Sequence, residues 1–368
     1  MNTLGIMTLK DRSEHHYITE IAKRASILGL NCCRFIPINM DPITQQITGE
    51  MFNSKNGQWE KTTFPIPNIL YDRCFYGGDS LSKKCSPIVS WLKNRKDIFF
   101  LGYGLPNKLE LYNVLKHSSL KPYLPLSKPI TGPTDILEEL SSTTKVVLKP
   151  INGSQGNGIY LIETHRQKTF SVKTFNRKKH ICREFSDVIQ FINWLTSLLN
   201  KMDYFVQPYL ELTNDLGEPF DIRTLLQKQE NGIWIERGRG VRVGHPDGIL
   251  SNLSAGGYIK EYEPWITQLF STETEFIHNE LNDILLKIPT ILEDSFLPLF
   301  ELGVDIGIAK NKSLWILDIN SKPGRKVIQE ISPDKNDELF FAPLLYGRTL
   351  ANSEFNERKR YNAKTISY

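Results

Sequence analysis

The sequence predicts an α/β protein with α+β character, built as several lobes. Three observations carry that expectation. A strand and helix open the chain, short apolar runs alternate with amphipathic stretches to its end, and turn-rich breaks divide the alternation into blocks. At about 150 residues per domain, 368 residues suggest two to three domains or one large lobed unit.

Leu4 to Thr8 reads as a short buried strand. Ile18, Ile21, Ala22, Ala25 and Leu28 then recur at helical spacing within Tyr17 to Leu28, and Gly29 closes the helix. Asn53 to Gly57 is a hairpin turn between two strand-like runs, Pro67 to Tyr71 is a strand entering Asp72 and Arg73, and Pro87 to Asn94 is helical. Gly102 to Pro106 breaks the pattern and marks a domain boundary. Asn107 to Lys116 is helical, and Pro122, Pro125 and Pro129 mark an extended connection. Further strands are expected at Lys145 to Lys149, Ile159 to Ile162, Tyr204 to Gln207, Ile222 to Gln227, Trp234 to Arg237 and Trp315 to Ile319, with helices at Asp187 to Leu199 and Glu273 to Leu302. No internal repeat occurs, and the chain ends in what reads as a loose tail.

Several classes of function lack support. Apolar residues make up 40% and charged residues 23%, which excludes a disordered or collagen-like chain. A net charge of +4 is spread along the whole sequence, so no field argues for nucleic acid, and Arg177 to His180 reads as a solvated loop. No window reaches the length of a membrane span, and Leu4 to Leu9 lacks the form of a signal peptide, so the expected compartment is the cytoplasm. Cys32, Cys33, Cys74, Cys85 and Cys182 form no C-x-x-C pair, the histidines show no H-E-x-x-H spacing, and there is no G-x-S-x-G elbow.

Two segments carry chemistry. In the first, Val146-Val-Leu148 leads into Lys149-Pro-Ile-Asn-Gly153-Ser154-Gln-Gly156-Asn-Gly158 and then Ile159-Tyr-Leu-Ile162, giving strand, glycine loop, strand. A Walker loop or a dinucleotide fingerprint would need a helix after its glycines. Glycines and a serine at a hairpin tip can instead present successive backbone N–H groups to a polyphosphate, with Lys149 adding a point charge. On residue types alone, the segment is equally a mobile hairpin with a surface lysine.

The second segment runs from Gly303 to Gly324. If Asn311-Lys312 is a two-residue turn, Lys310 faces Ser313 and Asp305 falls directly opposite Asp318, with Asn320 on the same face. Opposed carboxylates repel, and a divalent cation removes the conflict. Oxygen-only ligands of this kind suit Mg²⁺, which completes its octahedron with water and phosphate oxygens.

Together these segments resemble the ATP-grasp superfamily, and Leu148 to Ile159 with Leu314 to Gly324 is similar to the YheC/YheD endospore coat-associated family, over Asn107 to Leu345. The resemblance implies an ATP-grasp fold. It divides into an N-terminal Rossmann-like pre-ATP-grasp lobe over 1–105, a central ATP-binding lobe over 106–205 and a C-terminal lobe with the magnesium site over 206–350, leaving a tail over 351–368. It implies ATP and Mg²⁺ as cofactors, with phosphate contacts from Lys108 and Lys149 and a loop of Gly153, Ser154, Gly156 and Gly158. The adenine hinge would be Gln207, Tyr209 and Leu210, with Glu211 on the ribose and Pro208 removing one backbone donor. Metal ligands would be Asp305, Asp318 and Asn320. Asp221-Ile-Arg223 matches a strand of the superfamily whose arginine grips a carboxylate or phosphoryl group. Among Arg237, Arg239 and Arg242, Arg239 is taken as the second anion clamp. Asn252, Gly256 and Gly257 would close the acceptor side, and Tyr71, Asp72 and Arg73 are candidates for reading the substrate.

The implied reaction joins a small-molecule or peptide carboxylate to an amine through an acylphosphate. The family also implies spore-coat association, and many grasp enzymes are homodimers. A nucleotide-binding coat protein without catalysis and a small-molecule kinase are the competing readings.

Overall fold

The computed structural model of the chain describes residues 2–352 apart from 154–155, 166–168, 177–178, 247, 249–250, 252 and 254–255. Ser154, Asn252 and nearly all of the expected tail lie outside the described residues. Among the described residues the chain builds three sheets.

The first sheet contains β1 (Thr3–Met7), β2 (Asn31–Phe35), β3 (Gln46–Asn53), β4 (Gln58–Pro65), β5 (Ile69–Asp72) and β6 (Phe99–Phe100), in the order β4-β3-β2-β1-β5-β6. β1 is parallel to both β2 and β5, so the strand order reverses at β1, and the carboxyl ends of β1 and β5 open a crevice of the kind that receives ligands. Helix α1 (His15–Ala25) covers one face with Ile18, Ile21 and Ala22. A 3-10 turn, Ser26–Leu28, continues it, and Gly29 closes that turn in a left-handed conformation, with φ 69°. The next helix was expected over Pro87 to Asn94. Helix α2 instead spans Ser80–Lys93, begins under an Asp79 cap that accepts from Ser82 N–H at 3.0 Å, and takes Pro87 into its interior.

The second lobe contains α3 (Lys108–Leu115), capped by Asn107, then β7 (Lys128–Pro129), α4 (Pro133–Ser142), β8 (Lys145–Pro150), β9 (Tyr160–Thr164), β10 (Phe170–Asn176), β11 (Lys179–Phe185), α5 (Val188–Leu199) and β12 (Tyr204–Pro208). Its sheet runs β11-β10-β9-β8-β12-β7. One face buries Val146, Leu148, Ile162 and Val206 against Ile136, Phe191 and Leu195 of α4 and α5. The alternate residues Val147, Lys149, Phe205 and Gln207 therefore belong to the opposite face. Strands β10 and β11 and helix α4 were not expected, and Lys179 and His180, expected in a loop, belong to β11.

The third sheet, β15-β14-β13-β16-β17, contains β13 (Phe220–Lys228), β14 (Trp234–Val243), β15 (Tyr258–Glu261), β16 (Glu301–Ile308) and β17 (Leu314–Asn320). Helices α6 (Tyr262–Phe270) and α7 (Thr274–Ser295) cover one face over Ile222, Val241, Val304 and Ile306. The expected helix to Leu302 ends seven residues early. Phe296 turns extended, Leu297 precedes a proline that disfavours helix, and Leu302 lies inside β16. Two further helices, α8 (Lys326–Ile331) and α9 (Asn336–Ala351), were unforeseen. α9 carries Pro343 in its interior and returns to the first lobe, burying Phe340, Leu344 and Tyr346 with Leu4, Ile18 and Ile69.

Candidate nucleotide and magnesium site

Strand β16 lays out the site. Leu302, Val304, Ile306 and Ile308 enter the helix-covered core, so Glu301, Gly303, Asp305 and Gly307 share the other face. A Cβ on Gly307 would lie 2.7 Å from Leu212 Cδ1 and 3.1 Å from Leu317 Cδ1, so those leucines lie directly on its backbone. A Cβ on Gly303 would lie 2.5 Å from Nη1 of Arg223, so the missing side chain is the space the guanidinium occupies. Between the two glycines stands Asp305, opposite Asp318. The motif Gly303-x-Asp305-x-Gly307 is a signal from which this layout could have been read, because glycine inside a strand marks close approach.

The pairing of Asp305 with Asp318 agrees with the sequence reading, but by a different route. The turn is longer than expected: Ala309 N–H donates to Ser313 O and Lys312 N–H to Ala309 O, with Lys312 at φ 69°. Ile308 therefore faces Leu314 and Ile306 faces Ile316, one residue out of the expected register. The irregularity next to Asp305 leaves Leu317 as an extra residue and restores the carboxylate pair.

Charge gathers around this pair. Lys108 Nζ bonds Asp318 Oδ1 at 2.7 Å, and Lys149 Nζ lies 3.5 Å from the Leu317 carbonyl, spanning from the second sheet to the third. Arg242 makes a two-pronged pair with Asp221, at 2.7 and 2.6 Å, and also reaches Asp305 Oδ2 at 2.9 Å. Ser251 Oγ donates to Asp221 at 2.6 Å. Arg223 Nε stands 2.8 Å from Asp305 Oδ1, yet neither that oxygen nor Arg223 Nη1 has an aligned hydrogen bond, although both are buried. Burial raises the Asp305 carboxyl, but Arg223 and Arg242 outweigh it and hold it below the usual carboxylate range. Burial, with Lys108 nearby, brings Lys149 down to about 8. Burial likewise lowers Arg223, against the pull of Asp305.

Two opposed carboxylates and Asn320, whose Nδ2 donates to Gly303 O at 3.3 Å, form an oxygen donor set. Among the described residues no cluster of three or more His, Cys, Asp and Glu side chains forms a metal cage. Magnesium suits such a sparse set, since it keeps waters and takes phosphate oxygens. Asp305 Oδ1, in ionic contact with Arg223 Nε but without an aligned hydrogen bond, fits a cation, and the unpartnered Arg223 Nη1 fits an anion beside it.

Gly156 and Gly158 both adopt positive φ, 75° and 77°, at the tip between β8 and β9, with Gly153 in the same loop. Gln207 is buried and donates Nε2 to Ser127 Oγ at 2.7 Å. Tyr209 N–H is bound to Lys145 O at 3.3 Å, whereas Leu210 N–H makes no backbone bond among the described residues. Glu211 is exposed at the rim, paired with Lys310 at 2.6 Å. Gly256 has φ 92° and approaches His245, and Gly257 follows it before β15.

Arg239 requires correction. It pairs across from Thr224 and so shares the helix-covered face with Val241, where it is held by Glu236, by Asn282 and over the Tyr262 ring. Arg242, opposite Asp221, is the arginine of β14 that reaches the site. Arg237 bonds Gln227 and Glu338 instead. Tyr71, Asp72 and Arg73 are buried in an ionic network rather than presented to a substrate.

A glycine-loop sheet and a carboxylate-bearing sheet meeting across Lys149 define the ATP-grasp fold. The family model for YheC/D-like ATP-grasp proteins matches residues 97–350, and the chain belongs to this family. It is 36% identical over 345 residues to the endospore coat-associated protein YheC of Bacillus subtilis (strain 168), covering 94% of each chain. It is 28% identical to the endospore coat-associated protein YheD of the same organism, covering 74% of this chain and 60% of that protein. Among solved structures it resembles the ATP-grasp ligase PsnB complexed with minimal precursor, at TM-score 0.56 and 12% identity over 94% of this chain and 100% of that one. It also resembles the D-alanine–D-alanine ligase of Coxiella burnetii, at TM-score 0.53 and 10% identity over 99% and 100%.

Proposed function

We propose that the chain is an ATP- and magnesium-dependent ligase that joins a carboxylate to an amine. The observation that carries this reading is that Asp305 Oδ1 and Arg223 Nη1, both buried and both without an aligned hydrogen bond, lie beside the opposed carboxylate of Asp318 and two lysines. The design is cation beside anion, and the reaction it suits asks for no protein nucleophile.

Lys108, Lys149 and the backbone of the Gly153 to Gly158 loop would hold the phosphates. Leu210 N–H and the Gln207 segment would hold the adenine, with Glu211 at the ribose. Asp305, Asp318 and Asn320 would hold Mg²⁺, which supplies charge neutralisation on the phosphate oxygens when bound. The substrate carboxylate oxygen attacks the γ-phosphorus as the bond to ADP breaks. The amine nitrogen then attacks the acyl carbon, phosphate leaves and the amine loses a proton. Arg223, with Arg242 in the place first given to Arg239, would stabilise the transferring group, because such transfer depends on positioning and electrostatics. Gly256 and Gly257 would border the acceptor. The relationship to YheC supports association with the endospore coat, and the likeness to PsnB supports testing peptides as well as amino acids.

The test is ADP release from ATP and Mg²⁺ with pooled amino acids and short peptides, with mass spectrometry for a new amide and Asp318→Ala as control. Pool-dependent ADP and an amide are expected. Tight Mg-nucleotide binding with no turnover in any pool would favour the non-catalytic coat protein, and ADP with a phosphorylated product would favour a kinase.

A further inference from the structure

The segment that follows the metal-bearing strand is tied to the first lobe at four successive places. Ser321 Oγ accepts the Leu105 N–H at 3.0 Å. Lys322 Nζ donates to Asp72 Oδ1 and to the Cys74 carbonyl, both at 2.7 Å. The Pro323 carbonyl accepts from Arg73 Nη2 at 3.1 Å, and Arg325 bonds Tyr71 and Glu301. Three of these ties converge on one stretch, Tyr71 to Cys74, where β5 ends at the crevice made by the reversal of strand order. Beyond Cys74 the chain turns outward through Phe75 and Tyr76, both exposed, and the Lys322 ammonium lies 4.9 Å from the centre of the Tyr76 ring.

Lys322 is thus two residues from Asn320 and in direct contact with the loop that borders the crevice. We propose that Lys322 is a positioning residue that fixes Asn320 and Asp318 for the metal by clamping residues 320–323 to Asp72 and Cys74, so that the first lobe sets the geometry of the magnesium site. This rests on the nucleotide and magnesium reading above. The physical reason is that ligands at a strand end hold their orientation only if the chain after them is fixed, and the segment from Ser321 to Gly324 has no regular structure of its own. A lysine at this place reaches two acceptors from one flexible stem, one on a side chain and one on backbone, so it pins position where an isolated surface pair would not.

A purely structural role for Lys322 makes a different prediction, and Lys93 separates the two. Lys93 also pairs with Asp72, at 3.1 Å, but its other bond goes to the Tyr103 carbonyl and it makes no bond to residues 320–325. Either lysine keeps Asp72 neutralised when the other is removed, so neither variant leaves a lone buried charge.

The experiment measures ADP affinity by titration calorimetry on the full chain, with Mg²⁺ and then with EDTA, for wild type, Lys322→Ala, Lys322→Gln and Lys93→Ala, alongside thermal unfolding. Both Lys322 variants are expected to lose about tenfold in ADP affinity with Mg²⁺ present and nothing in EDTA, the size seen when groups that orient metal ligands are removed. Lys93→Ala is expected to keep the full magnesium effect while shifting the unfolding midpoint as much as the Lys322 variants do. An unchanged magnesium effect in Lys322→Ala and Lys322→Gln, or an equal loss in Lys93→Ala, would overturn the proposal. Wild type that binds ADP no better with Mg²⁺ than without would instead overturn the magnesium reading itself, and this proposal with it.

Discussion

Glu301 and Asp305 stand on the same face of one strand, four residues apart, both nearly inaccessible and both flanked by arginines, yet they are wired in opposite ways. Each Glu301 oxygen is fully used: Oε1 accepts from Tyr71 at 2.6 Å and Arg73 at 2.7 Å, and Oε2 from Arg325 and Gln227. Arg73 in turn takes both oxygens of Glu14 at 2.7 Å, joining the first lobe to the third sheet. Asp305 keeps an oxygen without a hydrogen bond beside an arginine nitrogen in the same condition. A buried carboxylate with both oxygens bonded holds lobes together, even though Nε of the neighbouring Arg325 has no partner. One that keeps an oxygen without an aligned hydrogen bond, beside an arginine nitrogen in the same condition, is set up for a ligand.

The sharpest test of that contrast is removal of Glu301. Glu301→Ala leaves Arg73 and Arg325 buried without their shared partner, and breaking such a network costs about 3–5 kcal/mol. Chemical denaturation should show a loss of that order. A loss under about 1 kcal/mol, the scale of an exposed ion pair, would mean the cluster is not what joins the lobes.

Asp318→Asn should show the reverse pattern. Asp318 is part-exposed and bonded only to Lys108, so its neutral form relieves repulsion with Asp305 and should change stability by no more than about 1 kcal/mol. Nucleotide affinity measured with Mg²⁺ should fall by about 10–100-fold, while affinity in EDTA is retained. Equal affinity with and without the metal in the wild type, or a variant indistinguishable from it, would contradict the assignment.

Lys149 gives the comparison a pH axis. Its value is lowered from the ordinary 10.5 to about 8, so across that window the unfolded chain holds the proton more firmly than the folded one. This group therefore makes the free protein more stable as pH rises from 8 to 10.5. Phosphate needs the charged form, so metal-free ADP affinity should move the other way and fall as pH passes 8. Lys149→Arg stays charged throughout and should flatten the affinity profile. A wild-type profile that is flat between pH 7 and 10 would remove Lys149 from the phosphate site.

Much of what the sequence disclosed follows from periodicity. Lys149 and the carboxylate pair were legible because each lies in a strand where every second residue faces the same way, the glycine loop because its glycines fall between two strands, and Asp221 with Arg223 through the family resemblance. The Glu301 cluster was not legible, because Glu14, Arg73, Glu301 and Arg325 come from four distant segments and meet only through tertiary contact. The hairpin shows how a correct pairing can rest on an incorrect path: a longer turn and a bulge at Leu317 displace the register and then restore it. α9 escaped notice for a simpler reason, since Pro343 reads as a breaker and its apolar residues serve the core of the first lobe.

Periodicity also explains the choice among the three arginines, and the smallest expected effect tests it. Arg239 and Arg242 differ by an odd number of residues on a strand that is regular between them, so only one of the two can face the site. The cross-strand pair Asp221 with Arg242 decides which. Arg239 holds Glu236 and Asn282 at a part-exposed place on the helix side, so Arg239→Ala should cost no more than about 1 kcal/mol. ADP affinity and any substrate-dependent ADP release should stay at wild-type level in this variant. Loss of turnover with nucleotide binding intact would place the transferring group on the helix side of the sheet. That outcome would break the division of labour between the two faces of β14, and with it the reading of Asp305 and Arg223 as the ligand-ready half of the molecule.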